Sequence, residues 1–455
     1  RLHCPGSYAS PSPPLAAPHT RGGALSVITV AHTLDLGGLG CLRSLCLGLG
    51  LGVLLGVQVL TSELLGVGRE RESGRIFRRG LWTSVLLGLG LTGLVYFSAD
   101  ALFGWLFVDI APASDMAETA DPQSVADSVA GVTRILSYGL VGFMISTVCG
   151  FYLEALRRPV LVSCVMYLGV IVNVVIDLAL VGGYWGFAPM GAEGVAWATT
   201  GSRLLITILL LLAVLALTPA LRPSPKGPAD EARRQLSVGT GTAISNVAEW
   251  GGFNFTFVIA TWISTAATTV YGMSIHVIGF CFMAFLGLGT ATSVRVAEAY
   301  GRKNADEVRE ASRLGIVAGV IIGVVLGIIV YTFQAPLAGL LVKSEAEVAG
   351  VSIRPELIPL VGFTAFVIVF DGLQNVASMA LRAQNVIWTP TFIHLGSYFL
   401  IMIPATWYFG LYQGGGAMGM MQGVLIASMI AGLLQTGLLE MKAARRLRPA
   451  RRQTV

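Results

Sequence analysis

Glu249 and Asp371 stand midway along two apolar segments, where an ionised side chain is costly and is a functional candidate by default. Around Glu249, the residues Thr242, Ser245, Gly252 and Thr256 recur at three- and four-residue spacing. That spacing puts them on one helix face, too polar to look at lipid. Asp371 has Thr364, Gln374, Asn375 and Ser378 on or near its own face. Two carboxylates on separate helices, held away from water, can share a proton or chelate a monovalent cation. The plainer alternative is a pair of structural carboxylates that cross-link helices. A second polar group is smaller. Asn173 and Asp177 form an i, i+4 pair toward the outer end of their segment. Arg203, in the next segment, either pairs with Asp177 or reaches for the interface by snorkelling. Trp250, Phe253 and Phe255 flank Glu249, and an aromatic wall beside a carboxylate suits a lipophilic cation. With Asn254 and Gln374, Trp250 and Phe253 are candidates to line a substrate cleft. His276 and His394 are lone histidines in apolar segments and read as core residues rather than proton relays.

The elements that hold these residues are membrane helices. Hydrophobic residues make up 54% of the chain and charged ones 12%, against about 25% charge in a soluble domain. The mean hydropathy is +0.74. Apolar runs near the length of a bilayer crossing fall at 38–67, 81–108, 132–154, 160–182, 192–217, 237–262, 269–295, 314–342, 357–381, 390–411 and 418–441. The chain therefore reads as one all-α polytopic membrane protein. Glycine is abundant, 56 of 455 residues, as close helix approach in a membrane demands. The net charge of +5 sits mainly in loops and tail, so it reads as topology and not as a nucleic-acid surface. The six cysteines show no metal-type spacing and read as structural. With no nucleophile–base set, metal cluster or phosphate loop in the sequence, an enzyme is not expected.

Basic residues mark one side. Arg69 to Arg79, Arg157-Arg158, Arg222 to Arg234, Arg302 to Arg309 and the tail Lys442 to Arg452 alternate with loops poor in Lys and Arg. The loop Asp109 to Asp127 holds five acids and no base. Basic loops stay cytoplasmic, which places the C-terminus inside a cell (inner) membrane.

The chain also repeats itself. Leu49-Gly50-Leu51-Gly52, then Gln58-Val59, then a basic loop, returns as Leu286-Gly287-Leu288-Gly289, Arg295-Val296 and a second basic loop. Gly191-Ala192 and Gly416-Ala417 open the last segment of each half, and Val141-Gly142-Phe143 matches Val361-Gly362-Phe363. Leu156-Arg157 pairs in the same way with Leu381-Arg382. Duplicated halves that move against each other are a common design for carriers. The expected division is an irregular segment 1–37, a first lobe 38–218, a linker 219–235, a second lobe 236–441 and a basic tail 442–455. The second lobe has six spans and the first has five, so the first lobe reads as one helix short. A genuine eleven-helix chain is the alternative.

Asn173 to Thr199 resembles the N…D/N…G…P.(L/M)G..G.A.AT segment of multidrug and toxic compound extrusion (MATE) transporters. Gly287 to Ala311, Glu249-Trp250 and Phe370 to Gln384 are similar to further stretches of that family. The resemblance implies two six-helix lobes related by a pseudo-two-fold axis and a monomer in the bilayer. It also implies export of amphipathic, often cationic, small molecules in exchange for H⁺ or Na⁺, with no cofactor. It maps cation coupling onto Glu249 and Asp371, and a first-lobe polar cluster onto Asn173, Asp177 and Thr199. The sodium-using branch carries a Tyr four residues before the tenth-helix Asp, where this chain has Val367, so the resemblance leans to H⁺. A related lipid-linked sugar flippase is the first alternative. It would want an arginine-lined cavity, and only Arg203 reads as deep. A non-functional truncated transporter product is the second.

Overall fold

The computed structural model describes residues 39–104, 122–225, 227–342, 347–348 and 350–450. The N-terminal segment 1–37, most of the acidic loop and the end of the tail lie outside the described residues. Among the described residues there are eleven long helices: α1 (Leu39–Gly66), α2 (Ser73–Gly104), α3 (Pro122–Ala155), α4 (Pro159–Gly182), α5 (Gly191–Leu217), α6 (Glu231–Ile263), α7 (Thr265–Gly301), α8 (Ala305–Thr332), α9 (Arg354–Ala383), α10 (residues 388–412) and α11 (Gly416–Ala450). Ten of them are long and apolar enough to cross a membrane; α6, which carries Glu231, Arg233, Arg234 and Glu249, is the more polar exception. Following the repeat, we assign α1 to α5 to the first lobe and α6 to α11 to the second; α1 packs on α6 and α7 as well as on α2 and α3. Helix α4 shows its apolar side chains outward, with Val160 and Tyr167 more than two-thirds exposed, as a lipid-facing helix must.

Boundaries differ from the hydropathy reading in two ways, each with a physical reason. The segment 314–342 is divided: α8 ends at Thr332, Phe333 leaves helical geometry, and a short helix Gln334–Leu341 follows. Several helices also run beyond their apolar stretch into basic residues. Helix α2 begins at Ser73, and α11 carries the basic tail as helix to Ala450. Hydropathy finds the part of a helix that sits in oil, and the backbone hydrogen bonds continue past it. Helix α10 is the irregular one. Its residues Gly396–Met402 and Trp407–Tyr412 form π-helical turns around Pro404, whose ring removes a backbone donor.

The duplication is written in the backbone. Gly191 and Gly416 enter α5 and α11 with the same positive φ of 57°. Gly68 (φ 73°) and Lys303 (φ 58°) close α1 and α7. After α3 and α9 the left-handed residue is Arg157 (φ 60°) and Asn385 (φ 62°) respectively. The loops therefore pair Arg157 with Asn385, and Glu154 with Arg382, a slip of three residues from the pairing of Leu156-Arg157 with Leu381-Arg382.

The lobes meet at one end. There a single apolar core crosses the seam, joining Leu54 and Val57 of α1 to Val238 of α6, Val296 of α7 and Leu381 of α9. The second core, with Ile259, Tyr271, Phe285 and Met402, stays within the second lobe. At the seam α1 touches α6 backbone to backbone. A Cβ at Gly239 would overlap the Val53 carbonyl oxygen and sit 2.9 Å from its carbon. Ion pairs gather the basic loops around the same end: Arg75–Glu231 at 2.8 Å, Arg157–Glu298 at 2.5 Å and Arg234–Glu63 at 2.5 Å. Each joins the first lobe to the second, so the basic end is shut in this conformation.

Candidate functional site

Helix α9 is the axis of the second lobe. From Asp371 through Gln384 every residue is buried, because α7, α8 and α11 pack along it and side chains of α6 and α10 reach it at Gln374. A helix wrapped on all sides would be expected to be apolar all round, yet this one carries Asp371, Gln374, Asn375, Ser378 and Arg382. Small residues allow the close wrapping. Gly372 faces Phe285 of α7, Gly323 of α8 faces the Val369 backbone, and Gly432 of α11 lies against the Phe370 carbonyl.

Glu249 of α6 is 5% exposed and Asp371 3%. One amide joins them: Gln374 Nε2 donates to Glu249 Oε1 at 3.0 Å and to Asp371 Oδ1 at 2.7 Å. The two carboxylate oxygens are thus no farther apart than these bonds laid end to end. Gln374 Nε2 also contacts the Tyr398 hydroxyl, which donates to Glu249 Oε1 at 3.2 Å. Tyr398 stands in the first π-helical turn of α10 and is fully buried under Phe253, with ring centroids 5.8 Å apart. Among the described residues no Lys, Arg or His lies within ion-pair distance of either carboxylate. At an effective dielectric of about 20, two unit charges roughly 5.5 Å apart repel by about 3 kcal/mol. A proton or a monovalent cation at this point would remove that repulsion. Val367, one turn before Asp371, is fully buried, and its side chain offers no oxygen.

The layer next to this cluster on the basic side is polar and unpaired. Ser245 Oγ, Ser378 Oγ and both ring nitrogens of His394 are buried without a hydrogen-bond partner, as are Nε and Nη2 of Arg382. Arg382 is 2% exposed. It therefore belongs with Arg203 as a deep arginine, which corrects the expectation that Arg203 stands alone. The hydropathy boundary at 381 put it at a helix end, but α9 runs on to Ala383 inside the lobe. It lies in the packed core of the lobe, not on the wall of an open cavity.

The other expected site residues separate. Trp250 packs over Gly48 of α1 at the seam, and Asn254 Nδ2 donates to the Trp250 carbonyl at 2.7 Å. Phe253 covers Tyr398. Gln374 is inside the acid cluster and 1% exposed, so it is a bridge between acids and not cleft wall. In the first lobe Thr199 lines a cavity of about 50 Å³ with Arg203, Thr133, Ser137 and Cys46. Asn173 and Asp177 are not among its lining residues, and Asn173 Nδ2 and Asp177 Oδ1 have no hydrogen-bond partner. The structure thus does not assemble Asn173, Asp177 and Thr199 into one bonded group. Nor does Arg203 pair with Asp177. Arg203 turns toward α3, where its guanidinium lies 5.0 Å from the Phe143 ring centre.

Sequence reasoning missed Tyr398 and set aside His394. An aromatic ring in an apolar helix carries no sign of its hydroxyl's partner. The one available signal is spacing: Tyr398 and His394 are four residues apart, so they share a face of α10.

Comparisons with known proteins agree with this architecture. The MatE family model matches residues 242–408. A probable multidrug resistance protein NorM of Caulobacter vibrioides is 31% identical over 386 residues, covering 84% of this chain and 78% of that protein. A protein of the same description from Bradyrhizobium diazoefficiens is 29% identical over 397 residues, 85% of this chain and 80% of its own length. Among solved structures, an outward-facing multidrug resistance MATE family transporter superposes with a TM-score of 0.76 at 18% identity, covering 94% of this chain and 89% of that one. The eukaryotic MATE transporter AtDTX14 does so with a TM-score of 0.76 at 18% identity over 94% of both chains.

Proposed function

The chain belongs to the multidrug and toxic compound extrusion (MATE) family of membrane transporters, and from that premise we propose that it is a cation-coupled antiporter. On this reading it expels amphipathic, often cationic, small molecules from the cytoplasm in exchange for H⁺ or Na⁺. The observation that carries the proposal is the pair Glu249–Asp371: two buried carboxylates on different helices, bridged by one amide and lacking a cationic partner within ion-pair distance. Such a pair is unfavourable when empty and is relieved by a single positive charge.

The seam supplies the other half of the mechanism. With the basic loops cytoplasmic, the conformation described here is shut toward the cytoplasm. A cation that binds this state better than the inward-open one shifts the population toward it, by no more than its differential affinity. Binding at Glu249–Asp371 would favour the shut state that releases drug outward. Loss of the cation to the cytoplasm would let the seam part and drug enter. The plain test is dye accumulation in cells expressing the chain, with the Na⁺ and pH gradients collapsed in turn. Collapse of one of them should raise dye retention to the level of cells lacking the protein. Retention unchanged by both would remove cation coupling from the proposal.

Tyr398 offers a finer check. A hydrogen bond to a charged group contributes about 1.5–3 kcal/mol. Tyr398→Phe should keep the fold and move the cation concentration for half-maximal efflux by roughly tenfold or more. An unmoved midpoint would show that Glu249 does not depend on the phenol.

A further inference from the structure

We propose that Arg382 is the fixed internal counter-charge of the Glu249–Asp371 pair, and that it thereby sets at one the number of monovalent cations the second lobe takes up per cycle. The inference rests on the coupling site proposed above and adds to it a stoichiometry and the residue that determines it.

The placement follows from three helices in register. On α9 the polar residues Gln374, Ser378 and Arg382 recur every four positions, on α6 Ser245 precedes Glu249 by four, and on α10 His394 precedes Tyr398 by four. Hydrogen bonds fix the levels. Gln374, Glu249 and Tyr398 meet at one height, and Thr391 Oγ1 of α10 donates to the Gly241 carbonyl of α6 at 2.8 Å about two turns away on the basic side. Ser245, Ser378 and His394 therefore form the layer between, and Arg382 stands beyond it. Eight residues of helix separate Gln374 from Arg382, about 12 Å along the axis. A helical side chain leans toward the N-terminus of its helix, which for α9 is the direction of the acids. That lean carries the guanidinium from its own turn of α9 toward the polar layer that separates it from Glu249. Arg382 does not snorkel out, since it is 2% exposed. Its Nε and Nη2, the His394 nitrogens and the two serine hydroxyls are buried with no hydrogen-bond partner among the described residues.

Charge counting then becomes decisive. Glu231 and Glu298, the other buried acids of this lobe, are neutralised at the seam by Arg75 and Arg157. Among the described residues, what remains buried in this lobe is Glu249, Asp371 and Arg382, a net charge of minus one. His394 is counted as uncharged, because a second positive charge beside Arg382 would be repelled at low dielectric. One monovalent cation makes the interior neutral. Without Arg382 the same interior would require two.

The full chain in proteoliposomes, driven by whichever cation gradient supports efflux, should exchange one cation for one monovalent cationic dye such as ethidium. That exchange is electroneutral, so dye accumulation should be the same at 0 and 100 mV set by potassium and valinomycin. Arg382→Gln should carry one extra charge per cycle and shift the accumulation ratio by about fiftyfold per 100 mV, and Arg382→Lys should restore voltage independence. Voltage-dependent exchange in the unmodified protein, or electroneutral exchange in Arg382→Gln, overturns the proposal. Should Arg382→Gln fail to fold, the unmodified protein decides alone: one cation per dye sustains the assignment and two overturn it. Glu249→Gln and Asp371→Asn separate the premise from the inference. If they keep gradient-driven exchange, the coupling site itself is wrong. If they lose it while the unmodified protein moves two cations, only the counter-charge role of Arg382 fails.

Discussion

Glu249→Gln combined with Asp371→Asn should bring gradient-driven efflux down to the background of cells without the protein, while the amount of chain in the membrane stays as it was. The two replacements keep nearly the size and the acceptor oxygens of the originals, so Gln374 Nε2 can still bridge them. What they remove is charge. If the pair only cross-linked α6 to α9, the amides would serve as well and efflux would persist. If the pair holds a cation, the double variant has nothing to attract one, and the shut state no longer responds to the gradient. Each single substitution leaves one carboxylate, and with Arg382 nearby that interior is already neutral, so each alone should also abolish coupling. Efflux retained by the double variant at normal expression would end the cation-site reading. Loss of efflux with unchanged drug binding would place the defect in coupling rather than in folding.

The second large effect belongs to the seam. Gly239→Val places side-chain carbon against the Val53 carbonyl, which is helix backbone and has no room to yield. Overpacking of this kind costs about 1–3 kcal/mol. Here the strain exists only while the basic end is shut, so it weighs on one side of the conformational balance. A bias of that size changes the ratio of two states by roughly 5- to 150-fold. Spin labels on cysteines placed at the exposed positions 158 and 302 should report a longer, broader distance distribution, and efflux should fall by at least about fivefold. Gly279→Ala is the matched control, since nothing lies near the added carbon, and should be silent. A distance distribution identical to that of the unmodified chain would mean that α1 and α6 do not separate during transport.

The legible part of this molecule was what membranes make expensive. Carboxylates in apolar runs stand out because lipid penalises them, and so Glu249 and Asp371 could be singled out from sequence. The helices themselves were legible for the same reason, and their ends were not, since a helix leaving the bilayer loses its apolar signature but not its hydrogen bonds. Arg382 was misjudged through that boundary. Tyr398 was invisible because its ring resembles packing and its hydroxyl matters only once α10 is wound into a π-helical turn beside α6. The repeat was read correctly where turns needing positive φ recur, as at Gly191 and Gly416, and was out by three residues at Leu381-Arg382. A slip of nearly one helical turn keeps the apolar face in place, so local likeness cannot detect it. In the first lobe, likeness in sequence grouped Asn173 and Asp177 with Thr199, and in this conformation no hydrogen bond joins them.

The equivalence of Glu154 and Arg382 has a consequence for how the halves share labour. At matching turns the first lobe has an acid, tied to Gln58 by a 3.1 Å hydrogen bond, and the second has a base. The duplicated architecture is symmetric in shape but of opposite sign at this place. A protein assembled from two copies of either half would therefore carry the wrong electrostatics on one flank. On the proposed cycle the ion acts on a single flank, and the other is moved through the shared interface without an ion of its own.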